Sequence, residues 1–277
     1  MVINNKILIL TSGKVEKLND FKNKNVDLGS FDDINFDSDS NVLRLKTVDL
    51  KQYALIYFRI VGKSLEIATL VTNYATKNNI QIVDKTYTKS NLMPVSLGKS
   101  IEMKKLIEAG IKIPKTYLPV DKLFLDKIKF PYVVKSTTSS RAREVWLVKD
   151  KGELEKLKSE KFKKGKFYFA QEFIPKAKRA RLLIIDNRVI GGILRYTKWN
   201  KDETKETLNP VPEDMAKLAI EATKAVGLDI SGVDLLTDEN DNLYVIEVNA
   251  APSWKLINKY CGVIVEDEIV KYLQTKI

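Results

Sequence analysis

The connections between strand-length apolar runs constrain this fold most, because a tight turn forces antiparallel pairing whereas a helical crossover permits parallel pairing. KILIL (Lys6 to Leu10) and YALIYFR (Tyr53 to Arg59) read as short buried strands separated by a polar, irregular stretch. Ser64 can cap a helix with Leu65, Ala68, Val71 and Ala75 on one face, and IQIVD (Ile80 to Asp84) follows as a strand. Strand, helix and strand make a parallel βαβ unit.

Beyond about residue 92 the rhythm changes. Ser100 can cap a helix with Met103, Leu106 and Ile107 inward, ended by Gly110. PYVVK (Pro131 to Lys135) and VWLVK (Val145 to Lys149) flank the polar loop STTSSRARE, and RLLIIDN and RVIGGILR meet at Asp186-Asn187. SGVDLLT and LYVIEVN flank DENDN, so each pair is a hairpin. YFAQEFI is a further strand, DKGELEKLKSEKFKKGK a solvated lysine-rich helix and loop, and a helix from about Glu213 carries Met215, Leu218, Ala219, Ala222 and Val226 inward before Gly227. The reading is an α/β chain: a small βαβ domain over 1–92, then an α+β domain over 93–277.

Composition narrows the chemistry. Apolar residues at 44% and charged ones at 30% suffice for a core. No apolar run reaches membrane-spanning length, and MVINNKILIL lacks the core and cleavage site of a secretory signal, so a cytoplasmic chain with no membrane partner is expected. The single cysteine, Cys261, excludes a disulfide framework and multi-cysteine metal sites. The absence of histidine excludes Ser-His-Asp hydrolysis, Cys-His proteolysis and H-E-x-x-H zinc chemistry. Acid–base and metal work falls to carboxylates, amides, lysines and arginines, which favours hard cations and phosphate. A net charge of +11 suits an acidic partner. No arginine-aromatic pattern accompanies it, which argues against nucleic acid. FDSDSN has calcium-loop spacing at Asp37, Asp39 and Asn41, but Val42 and Val48 replace the glycine and the closing glutamate. No G-x-G-x-x-G follows the first strand, so a dinucleotide site is not expected.

The last hairpin is the most informative segment. Glu247 and Asn249 stand two apart on a strand and leave the same face, where the flanking apolar residues predict core. With the turn centred on Glu239-Asn240, Leu236 faces Leu243 and Asp234 faces Val245, which sets Asp234 diagonal to Glu247 on that face. Three oxygen-bearing side chains make a hard-cation site, or else a carboxylate satisfied by a nearby lysine. Lys135 closes an apolar strand where a phosphate could sit, or is its solvated end.

Taken in order, GKSIEMKKLIEAGIKIPKT, PYVVKS, AQEFIP, RLLIIDNRVIGGILR and GLDISGVDLLTDENDNLYVIEVNAAPSW resemble the ATP-grasp superfamily, and within it the RimK-like carboxylate–amine ligases. The resemblance covers 93–277 and extends to the first domain only by arrangement. It implies an α+β ATP-grasp fold with ATP between subdomains of about 93–170 and 175–277. It implies a ligase in which ATP phosphorylates a carboxylate and an amine attacks the acyl phosphate. Asp234, Glu247 and Asn249 match the ligands of two Mg²⁺ ions, with Mn²⁺ as a substitute, and Lys99 and Lys135 match the phosphate-holding lysines. Gln171, Glu172, Phe173 and Ile174 match the hinge that reads adenine, and Arg181 and Arg195 match arginines near the transferred phosphoryl group.

Departures from the family pattern bear on the substrate. Ser139, Ala142 and Glu144 stand where glycines close over the phosphates; Ser139 and Ser140 hydroxyls with Arg141 and Arg143 can replace backbone donors, provided Glu144 turns away. Arg179 stands where a ribose-binding aspartate is usual, and Tyr196 to Pro212 replaces a longer acceptor segment, with Asn209 as a remaining match. Trp254 and Lys255 line an acceptor pocket or merely pack and solvate a loop. The expected substrates are a carboxylate and an amine, such as glutamate added to an acidic small molecule, peptide or protein tail. The resemblance leaves a homo-oligomer open. The alternative is a degenerate ATP-grasp protein that binds nucleotide or polyanion without ligating.

Overall fold

The computed structural model describes residues 5–37, 41–88, 98–118, 128–137, 143–164, 166–196 and 205–277, with the side chains of Lys85 and Tyr196 left out. The boundary expected near residue 92, together with Ser139, Ser140, Arg141 and Ala142, lies outside the described residues.

The first unit runs β1 (Ile7–Thr11), β2 (Asp27–Ser30), β3 (Ile34–Asp37), β4 (Val42–Leu45), β5 (Val48–Asp49), β6 (Leu55–Ile60), α1 (Leu65–Lys77) and β7 (Gln81–Val83). Its main sheet, ordered β2-β1-β6-β7, is parallel throughout, as the βαβ reading requires. The stretch between β1 and β6 is not irregular: β2 extends that sheet, and β3, β4 and β5 form a small antiparallel sheet. DLGS is too polar to announce a strand, and Leu43 and Leu45 are buried only because the chain folds back over α1's side of the sheet. Ser64 stands at the start of α1 but caps nothing, since its hydroxyl binds Ser12 Oγ at 3.0 Å.

The second unit begins with α2 (Lys99–Glu108), β8 (Thr116–Tyr117), β9 (Tyr132–Ser136), β10 (Val145–Val148), α3 (Lys151–Lys161) and β11 (Tyr168–Glu172). Its sheet is antiparallel with order β10-β9-β11-β8. In α2 the N-cap is Gly98, not Ser100, and the inward stripe differs from expectation. Leu106 is buried, Ile107 is 58% exposed, and Glu102 is buried instead. A helix stripe follows i, i+3, i+7, so Lys99, Glu102 and Leu106 face one way and Ile107 turns off it.

Next come β12 (Lys178–Ile185), β13 (Arg188–Tyr196), β14 (Glu206–Thr207), α4 (Glu213–Val226), β15 (Ile230–Thr237), β16 (Leu243–Asn249), α5 (Lys255–Cys261) and α6 (Val265–Gln274). The strands form one antiparallel sheet, β14-β13-β12-β15-β16. The β12–β13 turn is tight, with Asp186 and Asn187 both at positive φ. Gly227 ends α4 at φ 83°. One face of the sheet packs Ala180, Leu182, Ile184, Val233 and Val245 against Ala219 and Ala222 of α4. The other face packs Leu183 and Ile185 against Ile257, Ile269 and Leu273 and against Ile9 and Tyr57 of the first unit. Helices α5 and α6, not anticipated from the sequence, therefore fasten the two units together. A buried carboxylate adds to the join: Asp84 after β7 accepts from the Asp229 and Ile230 backbone N–H groups at 2.7 and 3.1 Å. Among the described residues no helix is long and apolar enough to cross a membrane.

Candidate active site

The hairpin β15–β16 carries the two carboxylates, but in a register that spacing alone does not predict. Leu236 faces Tyr244, not Leu243, and Asp234 faces Glu247, not Val245. Two local causes add up. The connection is a full five-residue loop, with Asp238 Oδ1 accepting from the Asn240 and Asn242 backbone N–H groups at 2.9 and 2.8 Å, so Thr237 pairs with Leu243. Between Asp234 and Leu235 the register then shifts, leaving Ile246 as an extra residue on β16. That bulge puts Val245 and Val248 into the same core under α4, which frees Glu247 and Asn249 to share the opposite face with Asp234.

Three arginines join that face from the neighbouring strands. Arg181 is the cross-strand partner of Asp234, and Arg179 is the partner of Arg195. Asp234 is fully buried. Arg181 Nε donates to its Oδ1 at 2.7 Å, and Arg181 Nη2 and Arg179 Nη2 donate to Oδ2 at 2.6 and 2.5 Å. Burial alone would raise this carboxyl, but the charges and hydrogen bonds of Arg179 and Arg181 outweigh it and hold the pKa at about 2. Arg195 is half-buried, and burial followed by the like charges of Arg181 and Arg179 lowers its pKa.

Helix α2 and the sheet of β8–β11 supply the facing cations. Lys99, the first residue of α2, donates to Glu247 Oε1 at 3.0 Å. Glu102, one turn on, accepts from the Val248 backbone N–H at 2.6 Å, satisfying the outer edge of β16. Burial lifts the Glu102 carboxyl to about 8. Lys135 on β9 donates to Gln171 Oε1 at 2.6 Å, and Gln171 Nε2 donates to Thr116 Oγ1 at 2.9 Å. Burial, then the charge of Lys99, lowers the Lys135 ammonium to about 8, with Glu247 opposing. The charges of the two antiparallel sheets thus lie within electrostatic reach of one another.

Other expected residues fall less simply. Gln171 is buried and serves Lys135. Glu172 ends β11, its N–H donating to the Lys115 carbonyl at 2.8 Å and its carboxylate accepting from the Lys115 N–H at 3.3 Å, so the side chain is already engaged with the β8 segment. Phe173 and Ile174 follow it, half-buried. Glu144 does turn away: its carboxylate takes Lys166 Nζ at 2.8 and 3.0 Å, which lowers its pKa. Trp254 is 2% exposed and belongs to the core, not to a pocket wall; Lys255 and Asn209 are exposed. Glu102 escaped the sequence reading, although a carboxylate on the face shared by Lys99 and Leu106 was a signal.

The donor set fits a hard divalent cation: two carboxylates and an amide oxygen on adjacent strands, with no nitrogen or sulfur ligand. Each donor also has a protein counter-group, the arginines for Asp234, Lys99 for Glu247 and the Ala251 N–H, at 3.0 Å, for Asn249 Oδ1.

Antiparallel strands bearing paired carboxylates and arginines, met by lysines from α2 and β9, are the arrangement that the ATP-grasp resemblance implied. The solved structure of the ATP-grasp ligase PsnB complexed with minimal precursor, Mg and ADP has this fold, with a TM-score of 0.72 over 99% of both chains at 14% identity. The profile of the RimK-like ATP-grasp domain matches residues 98–273, and the chain belongs to that family. It is 29% identical over 191 residues to a probable alpha-L-glutamate ligase of Haemophilus influenzae, covering 64% of this chain and 62% of that protein. It is 28% identical over 153 residues to human beta-citrylglutamate synthase B, covering 52% of this chain and 39% of that one. The chain thus spans less than two thirds of the length of these relatives.

Proposed function

We propose that the chain is an ATP-dependent carboxylate–amine ligase, cytoplasmic, which joins glutamate to an acidic small molecule, peptide or protein tail. The observation that carries this reading is the convergence on one sheet face of Asp234, Glu247 and Asn249 with Arg181 and Arg195, met by Lys99 and Lys135. Two relatives carry glutamate in their names, and the excess of basic residues suits an acidic acceptor.

Lys135 and Lys99 hold the ATP phosphates, and the backbone of Glu172 and Phe173, flanked by Gln171 and Ile174, borders the adenine; Ser139 and Ser140 serve the phosphate loop. Asp234, Glu247 and Asn249 would hold Mg²⁺, or Mn²⁺ in its place, through their side-chain oxygens. Bound there, Mg²⁺ supplies charge neutralisation for the phosphates. A substrate carboxylate oxygen attacks the γ-phosphorus and ADP leaves; the amine nitrogen then attacks the acyl carbon and phosphate leaves. Arg181 and Arg195 stabilise the negative charge on the transferred phosphoryl group and the acyl phosphate. Positioning and fixed charge carry this chemistry, so the absence of histidine costs it nothing.

The test is ADP release from Mg-ATP by the purified protein, with and without amino acids and acidic peptides. Stimulation by a subset of them, abolished in Glu247→Ala, is expected. Nucleotide binding with no turnover across glutamate and acidic acceptors would favour the binding-only alternative.

A further inference from the structure

Residues 1–97 lie outside the segment matched by the family, yet one of their side chains reaches the loop that leaves the candidate metal strand. Arg59, at the end of β6, is 9% exposed. Its Nη2 donates to the Pro252 carbonyl at 2.6 Å, and its guanidinium lies 4.0 Å from the ring centroid of Trp254. Trp254 is fixed in turn: its Nε1 donates to Glu266 Oε1 at 2.5 Å, and Phe21 meets its ring edge-on at 5.8 Å. Arg59 therefore holds both ends of the short segment 252–254.

That segment is three residues from Asn249. The Asn249 Oδ1 accepts from the Ala251 N–H, so the direction of its amide is tied to the course of this loop. Pro252 also rests on β15, since a Cβ added to Gly232 would come within 2.8 Å of Pro252 Cβ, and Gly232 is the cross-strand partner of Asn249. Arg59, Pro252, Gly232 and Asn249 form one continuous chain of contacts from the parallel sheet to the site.

We propose that Arg59 is a positioning residue for the ligase site, pinning loop 250–254 and thereby the Asn249 amide from the N-terminal unit; this rests on the ligase reading above. Burial there lowers the arginine's pKa, and its Nη1 has no hydrogen-bond partner among the described residues. A buried, half-satisfied guanidinium is a poor way to fill space, because an apolar side chain of similar length would leave no N–H unpaired. What an apolar residue lacks is the donor to Pro252. Lysine keeps that donor and the charge but lacks the flat face that stacks on Trp254.

The experiment titrates Mn²⁺ into the full chain with ADP, read by the spin resonance of free Mn²⁺, alongside ADP affinity without metal and the melting temperature. Glu247→Ala serves as control. In Arg59→Met, Mn²⁺ affinity should fall about tenfold, as for other residues that orient a metal ligand, while metal-free ADP affinity and melting stay near wild type. Arg59→Lys should recover part of the loss. Wild-type Mn²⁺ affinity in Arg59→Met overturns the inference and leaves the ligase reading standing. A loss matched by equal loss of metal-free ADP binding, or by collapse of the melting transition, shows a merely structural role and also overturns it. If Arg59→Met does not fold, unchanged Mn²⁺ affinity in Arg59→Lys decides against it and a drop decides for it. Failure of wild type to bind Mn²⁺ with ADP, or indifference to Glu247→Ala, defeats the ligase reading and the inference together.

Discussion

Asp234 is the carboxylate on which the geometry of the site turns, and its removal has a calculable cost. In the folded chain two arginines hold it at about 2, against an ordinary 3.8. At 1.36 kcal/mol per pH unit that difference corresponds to about 2 kcal/mol. The folded pKa is depressed, so this stability is fully present above pH 3.8 and disappears as the pH falls through about 2. Asp234→Asn should cost more than this at neutral pH, about 3–5 kcal/mol, because Arg179 and Arg181 are left partly buried without a counter-charge. The new amide NH₂ also points a donor at guanidinium donors. In a chain of this size, each kcal/mol lowers the melting temperature by roughly 2–4 °C, so a loss of about 6–20 °C is expected. Denaturant and thermal unfolding of Asp234→Asn, Arg179→Met and the double variant would test it. The double variant should be more stable than the two single losses added together, by about 1–3 kcal/mol. Additive losses, or a single Asp234→Asn cost within about 0.5 kcal/mol of zero, would refute the buried charge cluster.

Three further outcomes follow from particular groups. Burial brings the Lys135 ammonium down to about 8 in the folded chain, so the charge proposed to hold the ATP phosphates is present below that pH and is lost above it. ATP binding should weaken as pH rises through 8, with proton uptake on binding near pH 8 measurable by calorimetry in buffers of different ionisation enthalpy; Lys135→Met should abolish the uptake. Because the unfolded lysine keeps its proton to a higher pH, this same group makes the fold more stable as pH rises from about 8. Asp84, raised to about 7 by burial, acts in the opposite sense. Its stability contribution is present below pH 3.8 and is lost as pH rises through 7, so Asp84→Asn should flatten the decline in melting temperature over that window. Gly232→Ala places a methyl against Pro252 and should cost about 1–3 kcal/mol in unfolding experiments; an unchanged midpoint would show that the loop yields freely.

The parts of the site that were legible in the sequence are those fixed by local rules. Alternation placed Glu247 and Asn249 on one face, and a short loop made β15 and β16 a hairpin. The register within that hairpin was not legible, because the Asp238 side-chain turn and the bulge at Ile246 each displace it, and neither leaves a periodic trace. Ile107 shows the same limit on a helix: apolar residues at 103, 106 and 107 suggest one stripe, yet contact with β16 selects the stripe through Lys99 and Glu102.

The sequence by itself determined the chemistry open to this chain. Without histidine and with one cysteine, it must work with oxygen ligands, lysines and arginines, and its connections dictate a parallel unit followed by antiparallel sheets. Only the tertiary structure decided which charges meet. Arg179 and Arg181 are 55 and 53 residues from Asp234, Lys99 is 148 from Glu247, and Arg59 is 193 from Pro252. Pairings at such separations are set by how β12 lies beside β15, how α2 closes the edge of β16 and how α5 and α6 fasten the two units. The physical reason is that a charge finds its partner through the burial of apolar faces that bring distant segments together, and that burial is a property of the whole chain.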